Sequence, residues 1–240
     1  MSHEPLWAVV KEAWRKPQRR ATVILCASVF LMAVWKHFGS MEFFHQQWAG
    51  LLPASADLGM AAAGYRFGSA FLLLGLVPAL IVRLGFGQPL ADYGVRQGDL
   101  LLTFRSTLVV LPVLLLITWS SSYSASVASY YPLNPSAGRS PGAFALHTAF
   151  YMLFYAGWEF HFRGFLQLGL GETMGRPNAL LVQVLASTLL HIGHPAAEVF
   201  GALGAGILWG ILVLRTRSLW AGLIQHAAVG IALDAWLVCR

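Results

Sequence analysis

Seven stretches of this 240-residue chain run apolar for close to the length of a bilayer crossing, and nothing else in the sequence limits the possible folds so sharply. A helix needs about 20 mostly apolar residues to cross the hydrocarbon core, and fewer when flanking charges reach out to the headgroups. The stretches are Ala21 to Trp35, Leu58 to Val82, Ser106 to Trp119, Ala143 to Leu170, Ala179 to Gly193, Val199 to Leu214 and Ser218 to Cys239. The second is interrupted by Arg66 and contains Pro78, and the third is short and carries Pro112. Hydrophobic residues make up 57% of the chain and charged residues 11%, where a soluble domain has roughly a quarter charged. A soluble fold this apolar could not cover its own surface. The expectation is therefore all-α, a polytopic transmembrane helical bundle of about seven spans.

The basic residues orient it. With the amino terminus inside, the cytoplasmic side receives Lys11, Arg15, Lys16, Arg19, Arg20, Arg83, Arg96, Arg105, Arg176, Arg215 and Arg217, while the outer side keeps Lys36, Arg66, Arg139 and Arg240. Eleven against four is a strong positive-inside bias. A net charge of +6 then reflects the anionic inner leaflet, and without an aromatic-basic motif no nucleic-acid partner is expected. Residues 1–20 read as a basic cytoplasmic segment rather than a signal peptide, because the charged stretch is long and no small-residue cleavage site follows the first span. Cys26 and Cys239 match no metal or redox spacing, and a structural disulfide is not expected. An integral protein of a bacterial cytoplasmic (inner) membrane is the expected setting.

Residues 21–142 read as an accessory transmembrane region and 143–239 as a compact catalytic core. Two polar segments, the cytoplasmic loop 85–105 and the outer loop 120–142, read as connections. Ala202, Gly206 and Gly210 recur every fourth residue in the sixth span, a spacing that lets two helix backbones approach closely.

Ionisable side chains in hydrocarbon each need a reason. Glu159 and Arg163 lie about 40° apart in rotation on a helix and roughly 6 Å apart along it, so they can pair, and a structural ion pair would account for both. The histidines add to this. His191 falls in the fifth span, His194 follows at its outer end, Glu198 comes just beyond, and His226 and Asp234 share the seventh span, about 80° apart. A lone helical histidine is usually a packing residue, but several on separate spans beside a buried carboxylate suit hydrolysis. That chemistry needs a carboxylate to take a proton from water, imidazoles to orient or protonate, and donors for the developing oxyanion. His161, about 200° around the helix from Glu159, and His147, near the outer start of its span, read as non-catalytic.

The run Trp158-Glu159-Phe160-His161-Phe162-Arg163-Gly164 resembles the first motif, Glu-Glu-x-x-x-Arg, of the intramembrane CAAX-protease and bacteriocin-processing (CPBP, or Abi) family of glutamic-type endopeptidases. Ser187 to His191 occupies the place of its Phe-x-x-x-His motif, and His226 to Gly230 that of His-x-x-x-Asn/Asp. The resemblance covers about Ala143 to Cys239. The sequence departs from the family at Trp158, Ser187 and Gly230, and matches a branch with a Trp-Glu first motif and a His-x-Gly-x-Pro-x-x-Glu continuation, here His191 to Glu198. The resemblance implies cleavage of a membrane-anchored protein or peptide, including processing of carboxyl-terminal anchors or CAAX-like sorting tails. Glu159 or Glu198 would be the general base. His191 and His226 would orient water or stabilise the oxyanion, Arg163 would lock Glu159, and His194 and Asp234 would support, Asp234 in place of the missing Asn. No cofactor is expected. Zinc is conceivable, since histidines and a carboxylate could hold it, but no His-Glu-x-x-His pair is present and a metal-free mechanism ranks higher. The rivals are a non-catalytic family-like scaffold or immunity protein, and a proton-coupled transporter through Glu159, His191 and Asp234, which no inverted repeat supports.

Overall fold

Three long helices of this chain start where a short polar side chain takes up a free backbone N–H. The structure, a computed structural model, describes residues 5–15 and 18–240; Lys16, counted above among the cytoplasmic cations, lies outside them. Seven long helices are present among the described residues: α1 (Gln18–Phe38), α2 (Leu58–Gly85), α3 (Leu100–Ser121), α4 (141–174), α5 (Arg176–Leu190), α6 (Ala196–Thr216) and α7 (Trp220–Val238). Asp57 caps α2 by accepting from Met60 N at 3.0 Å, Asp99 caps α3 through Leu102 N at 2.9 Å, and Ser140 caps α4 through Ala143 N at 3.1 Å. Each satisfies an amide that the helix itself cannot.

Two expected boundaries are corrected. The apolar run predicts the third span over Ser106 to Trp119, but the Asp99 cap starts α3 at Leu100 and places Arg105 inside the helix. The fifth run extends the span through Gly193, but α5 ends at Leu190 with His191 as its cap residue. Gly193 has φ 95° and Pro195 precedes α6, so residues 191–195 turn the chain between the two helices.

Five of the helices, α1, α2, α3, α6 and α7, are long and apolar enough to cross a membrane. The expected spans 143–170 and 179–193 fall in α4 and α5, which are not among those five. Successive helices alternate in direction. At one end of the bundle Ser218 Oγ donates to Arg96 O at 2.6 Å, Leu219 N to Gly94 O at 3.1 Å, and Arg20 pairs with Glu172. At the other end Lys36 Nζ donates to Leu190 O at 3.2 Å and Ser136 Oγ to Asp57 at 2.9 Å. The connecting segment, 86–99 once Gly85 falls in α2 and 100–105 in α3, is thus more than a connection. Gly98, with φ 64°, lies so close beneath the α6–α7 turn that a Cβ would come 2.4 Å from Thr216 O.

The main apolar core lies between α1, α2 and α4, with Ile24, Leu74, Phe162, Phe165 and Leu170 fully buried. By contrast, α3 leaves Leu101, Phe104, Leu108, Val109, Val113 and Leu116 exposed. A patch of that kind needs a covering, and lipid supplies it. The small-residue face of α6 packs on α5, with Gly206 against Val184 and Gly210 against Leu180. Two glutamines join there: Gln183 Nε2 donates to Gly206 O at 2.9 Å and Gln167 Nε2 to Gly210 O at 2.8 Å. In lipid, such packing and polar bonds take the place of the hydrophobic drive.

Neither α2 nor α4 is a regular α-helix. Phe71–Leu76 and Ile81–Gly85 in α2, and Phe160–Leu168 in α4, form wider π-helical turns. Such turns gather at functional sites, and the one in α4 carries Arg163.

Candidate active site

Glu159 sits at the junction of α-helix and π-helix in α4, 1% exposed, with both neighbours that could compensate its charge. His226 on α7 hydrogen-bonds its Nδ1 to Glu159 Oε1 at 2.8 Å. Arg163 brings its NH1 to 3.3 Å from the same oxygen, close enough for an ion pair but without hydrogen-bond alignment. The pairing predicted from the four-residue spacing is therefore present, although the wider turn rather than an α-helical one delivers it. The other oxygen, Oε2, has no hydrogen-bond partner and lies beside Gly222, where a Cβ would be 2.6 Å away. Trp209 on α6 backs the group: its ring stacks on His226 at 4.5 Å, lies 5.6 Å from the Arg163 guanidinium, and is held by Nε1 donating to Gln225 at 3.0 Å.

A second carboxylate centre forms around Glu198 in the first turn of α6. Its Oε1 accepts from Tyr131 Oη at 2.7 Å and from His194 Nδ1 at 2.9 Å, and stands 3.8 Å from His191 Nε2. His191 Nδ1 lies 2.7 Å from Ser187 O. A carbonyl only accepts, so the proton is on Nδ1 and the Nε2 lone pair of the neutral ring faces Glu198. Two acceptors that face each other across 3.8 Å are suited to a water that donates to both. Glu198 Oε2 is buried and makes no hydrogen bond to the described residues.

Both centres meet at one cavity of about 270 Å³, lined by Arg163, His191, His194, Glu198, His226 and Tyr131 among aromatic and aliphatic side chains. Glu159 does not line it; it stands behind Arg163 and His226. Asp234 does not line it either. It pairs with His147 at 2.7 Å, both 1% exposed, on the far side of Tyr151 and Tyr155 from the histidines of the cavity. His161 is fully buried against Phe162 and Phe165. Among the described residues no group of three His, Cys, Asp or Glu side chains is disposed to hold a metal ion.

The three departures from the family motif have specific occupants. Trp158 packs edge-on against His191 with ring centres 5.4 Å apart. Ser187 supplies the carbonyl that fixes the His191 tautomer. At Gly230 a Cβ would overlap the Tyr155 hydroxyl at 1.7 Å, and the Tyr155 ring stands 4.7 Å from His226. Sequence reasoning missed Tyr131, Tyr155 and Trp209. Tyr131 lies in loop 120–142, read above as a connection, and nothing in its spacing signals a partner 67 residues away. Trp209 adjoins Gly210 on a face read as packing alone.

Fold and site together define a polytopic helical membrane protein with carboxylate–histidine groups around a cavity inside the bundle. Residues 141–232 match the family model described as type II CAAX prenyl endopeptidase Rce1-like. This region, which carries Glu159, Arg163, His191, Glu198 and His226, is similar to that family of CAAX-type proteases. Neither a curated protein nor a solved structure matches the chain.

Proposed function

We propose that this chain is an intramembrane endopeptidase that cleaves a membrane-anchored protein or peptide with Glu198 as general base and without a metal. The observation that carries the reading is that Glu198, His191, His226 and Arg163 line one cavity while Glu159 stands behind it. A water held between Glu198 and His191 Nε2 attacks the peptide carbonyl as Glu198 takes its proton. Arg163 and His226, at the same cavity, meet the oxyanion. Collapse of the tetrahedral intermediate breaks the C–N bond, and the proton on Glu198 passes to the leaving amine. Glu159 acts through His226, fixing its ring as the carboxylate of a hydrolase triad fixes its histidine.

The seven helices are taken as seven spans with the amino terminus in the cytoplasm of a bacterial inner membrane, as the basic residues at one end of the bundle favour. The cavity then lies toward the outer face, where α5 ends and α6 begins.

The test starts from a substrate identified by comparing the protein termini of membranes with and without the chain. Glu198→Gln should lower cleavage of that purified substrate in liposomes by about 10²- to 10⁴-fold without lowering the melting temperature. Glu159→Gln should chiefly lower the melting temperature. Full activity in Glu198→Gln, with a folded but dead Glu159→Gln, would reverse the two roles. Full activity in both would sink the glutamic mechanism.

A further inference from the structure

The bundle has a second concavity, of about 350 Å³, at the end opposite the catalytic cavity. Three arginines converge on it from separate helix ends: Arg20 in the first turn of α1, Arg176 as the first residue of α5, and Arg217 directly after α6. Arg20 pairs with Glu172, yet its Nε is buried without a hydrogen-bond partner. Neither Arg176 nor Arg217 enters an ion pair among the described residues. Arg217 has φ 57°, a left-handed conformation that a helix end usually gives to glycine or asparagine. The helix dipole favours a cation there, but Arg215 already supplies one in the last turn of α6. At the start of α5, Gly175 offers no side-chain cap and the first turn holds no acid, which leaves amides suited to an anion. Gln167, fully buried, lines the same pocket and has its Oε1 unpartnered.

We propose that this pocket binds a phosphate ester, supplied by the headgroup of a phospholipid in the adjacent leaflet, the cytoplasmic one in the topology proposed above. Guanidinium forks and a helix N-terminus both match phosphate oxygens. The pocket also holds the acceptors Asp92 and Gln167. They suit the hydroxyl or ammonium donors that a lipid headgroup carries beside its phosphate, which a bare inorganic anion lacks. Leu168 and Leu214 complete the wall and offer apolar surface to the start of the acyl chains. A general excess of cations at this end does not account for the pocket, because Arg83, Arg96, Arg105 and Arg215 carry that charge without lining it. A phosphate held there bridges α1, α5 and the end of α6. It so ties α1 to the two helices that hold His191 and Glu198 at their opposite ends.

The experiment is thermal melting of the full chain in neutral maltoside micelles with three additives. These are dioleoylphosphatidylglycerol, dioleoylglycerol as its phosphate-free counterpart, and sn-glycerol 3-phosphate as a soluble ester. A ligand that binds the folded state raises the melting temperature, by about 3–6 °C at tenfold excess over its Kd for a chain of this length. Dioleoylphosphatidylglycerol should do so and dioleoylglycerol should not. The double variant Arg176→Gln with Arg217→Asn keeps the Arg20–Glu172 pair and places at 217 a residue that tolerates a positive φ. It should bind the lipid at least about tenfold more weakly, as loss of charged hydrogen bonds implies, and Arg176→Gln alone should show part of that loss. Arg215→Gln, outside the pocket, should respond as wild type does. Stabilisation by sn-glycerol 3-phosphate and not by the lipid would sustain the phosphate site with a soluble ester as its ligand. The proposal is overturned if no additive stabilises wild type, or if the two lipids act alike. It is equally overturned if the folded double variant responds as wild type does, or if Arg215→Gln loses as much as the double variant.

Discussion

Arg163→Ala probes the contact on which the architecture of the site depends. The side chain is among the largest fully buried ones described, and its removal leaves Glu159 in the interior with His226 as its sole charged or hydrogen-bonding neighbour among the described residues. Breaking a buried ion pair from one side costs about 3–5 kcal/mol, because the remaining charge is uncompensated. Loss of the stacking over Trp209 at 5.6 Å adds about 0.5–2 kcal/mol. For a chain of this length each kcal/mol shifts the melting temperature by roughly 2–4 °C, so the variant should melt roughly 7–28 °C lower. Arg163→Lys should recover part of this, since an ammonium keeps the charge but not the planar fork. The double variant Glu159→Gln with Arg163→Met should melt above Arg163→Ala, because no charge is then left unpaired. The assay is thermal unfolding in detergent with intrinsic tryptophan fluorescence. If Arg163→Ala melts within about 2 °C of wild type, or the double variant is no better than the single, the pair contributes nothing and the reasoning from burial fails.

Two further outcomes follow from the same geometry. A reporter fused after Arg240 should report the outer side and one fused after Arg217 the cytoplasm; both on one side would remove the seven-span topology. Cleavage by the purified protein should survive prolonged incubation with a chelator, with unchanged melting; activity lost to the chelator and restored by zinc would move the mechanism to a metal-assisted one.

Much of the fold was legible because a membrane span is a strong one-dimensional signal. The apolar runs located all seven helices, and the polar residues that interrupt them flagged the site. What failed was the geometry at helix ends and in irregular turns. α5 ends at Leu190, just before the turn in which Gly193 takes a positive φ, and α3 starts where Asp99 caps it, and both are local choices that an apolar run conceals. Rotation angles drawn for a regular helix could place Glu159 against Arg163, but could not anticipate the π-helical turn that carries Arg163. The environment of Glu198 was the least legible part. His194 follows from the four-residue spacing, whereas Tyr131 reaches it from a polar loop, by tertiary contact alone. Asp234 illustrates the reverse case. It shares a helix with His226, yet its partner is His147 on α4, a residue set aside as remote from chemistry.

Trp158, Ser187 and Gly230 could in principle mark a site in decay, and the structure offers a way to tell decay from replacement. A helix that had merely lost an Asn or Asp at position 230 would leave a void there. Instead the Tyr155 hydroxyl fills the space so completely that even a Cβ would overlap it, and the same ring flanks His226. Gly222 likewise leaves room for a carboxylate oxygen that an alanine methyl would crowd. These glycines are matched to large or charged neighbours, so returning the family's residue at 230 would displace Tyr155 from His226 rather than repair anything. The strongest argument is Glu198 itself. Its side chain is partly buried, 25% exposed, and its carboxylate is shared among Tyr131, His194 and His191 at the cavity wall. The oxygen that faces His191 Nε2 at 3.8 Å is Oε1, and it is there that the proposed mechanism holds its water.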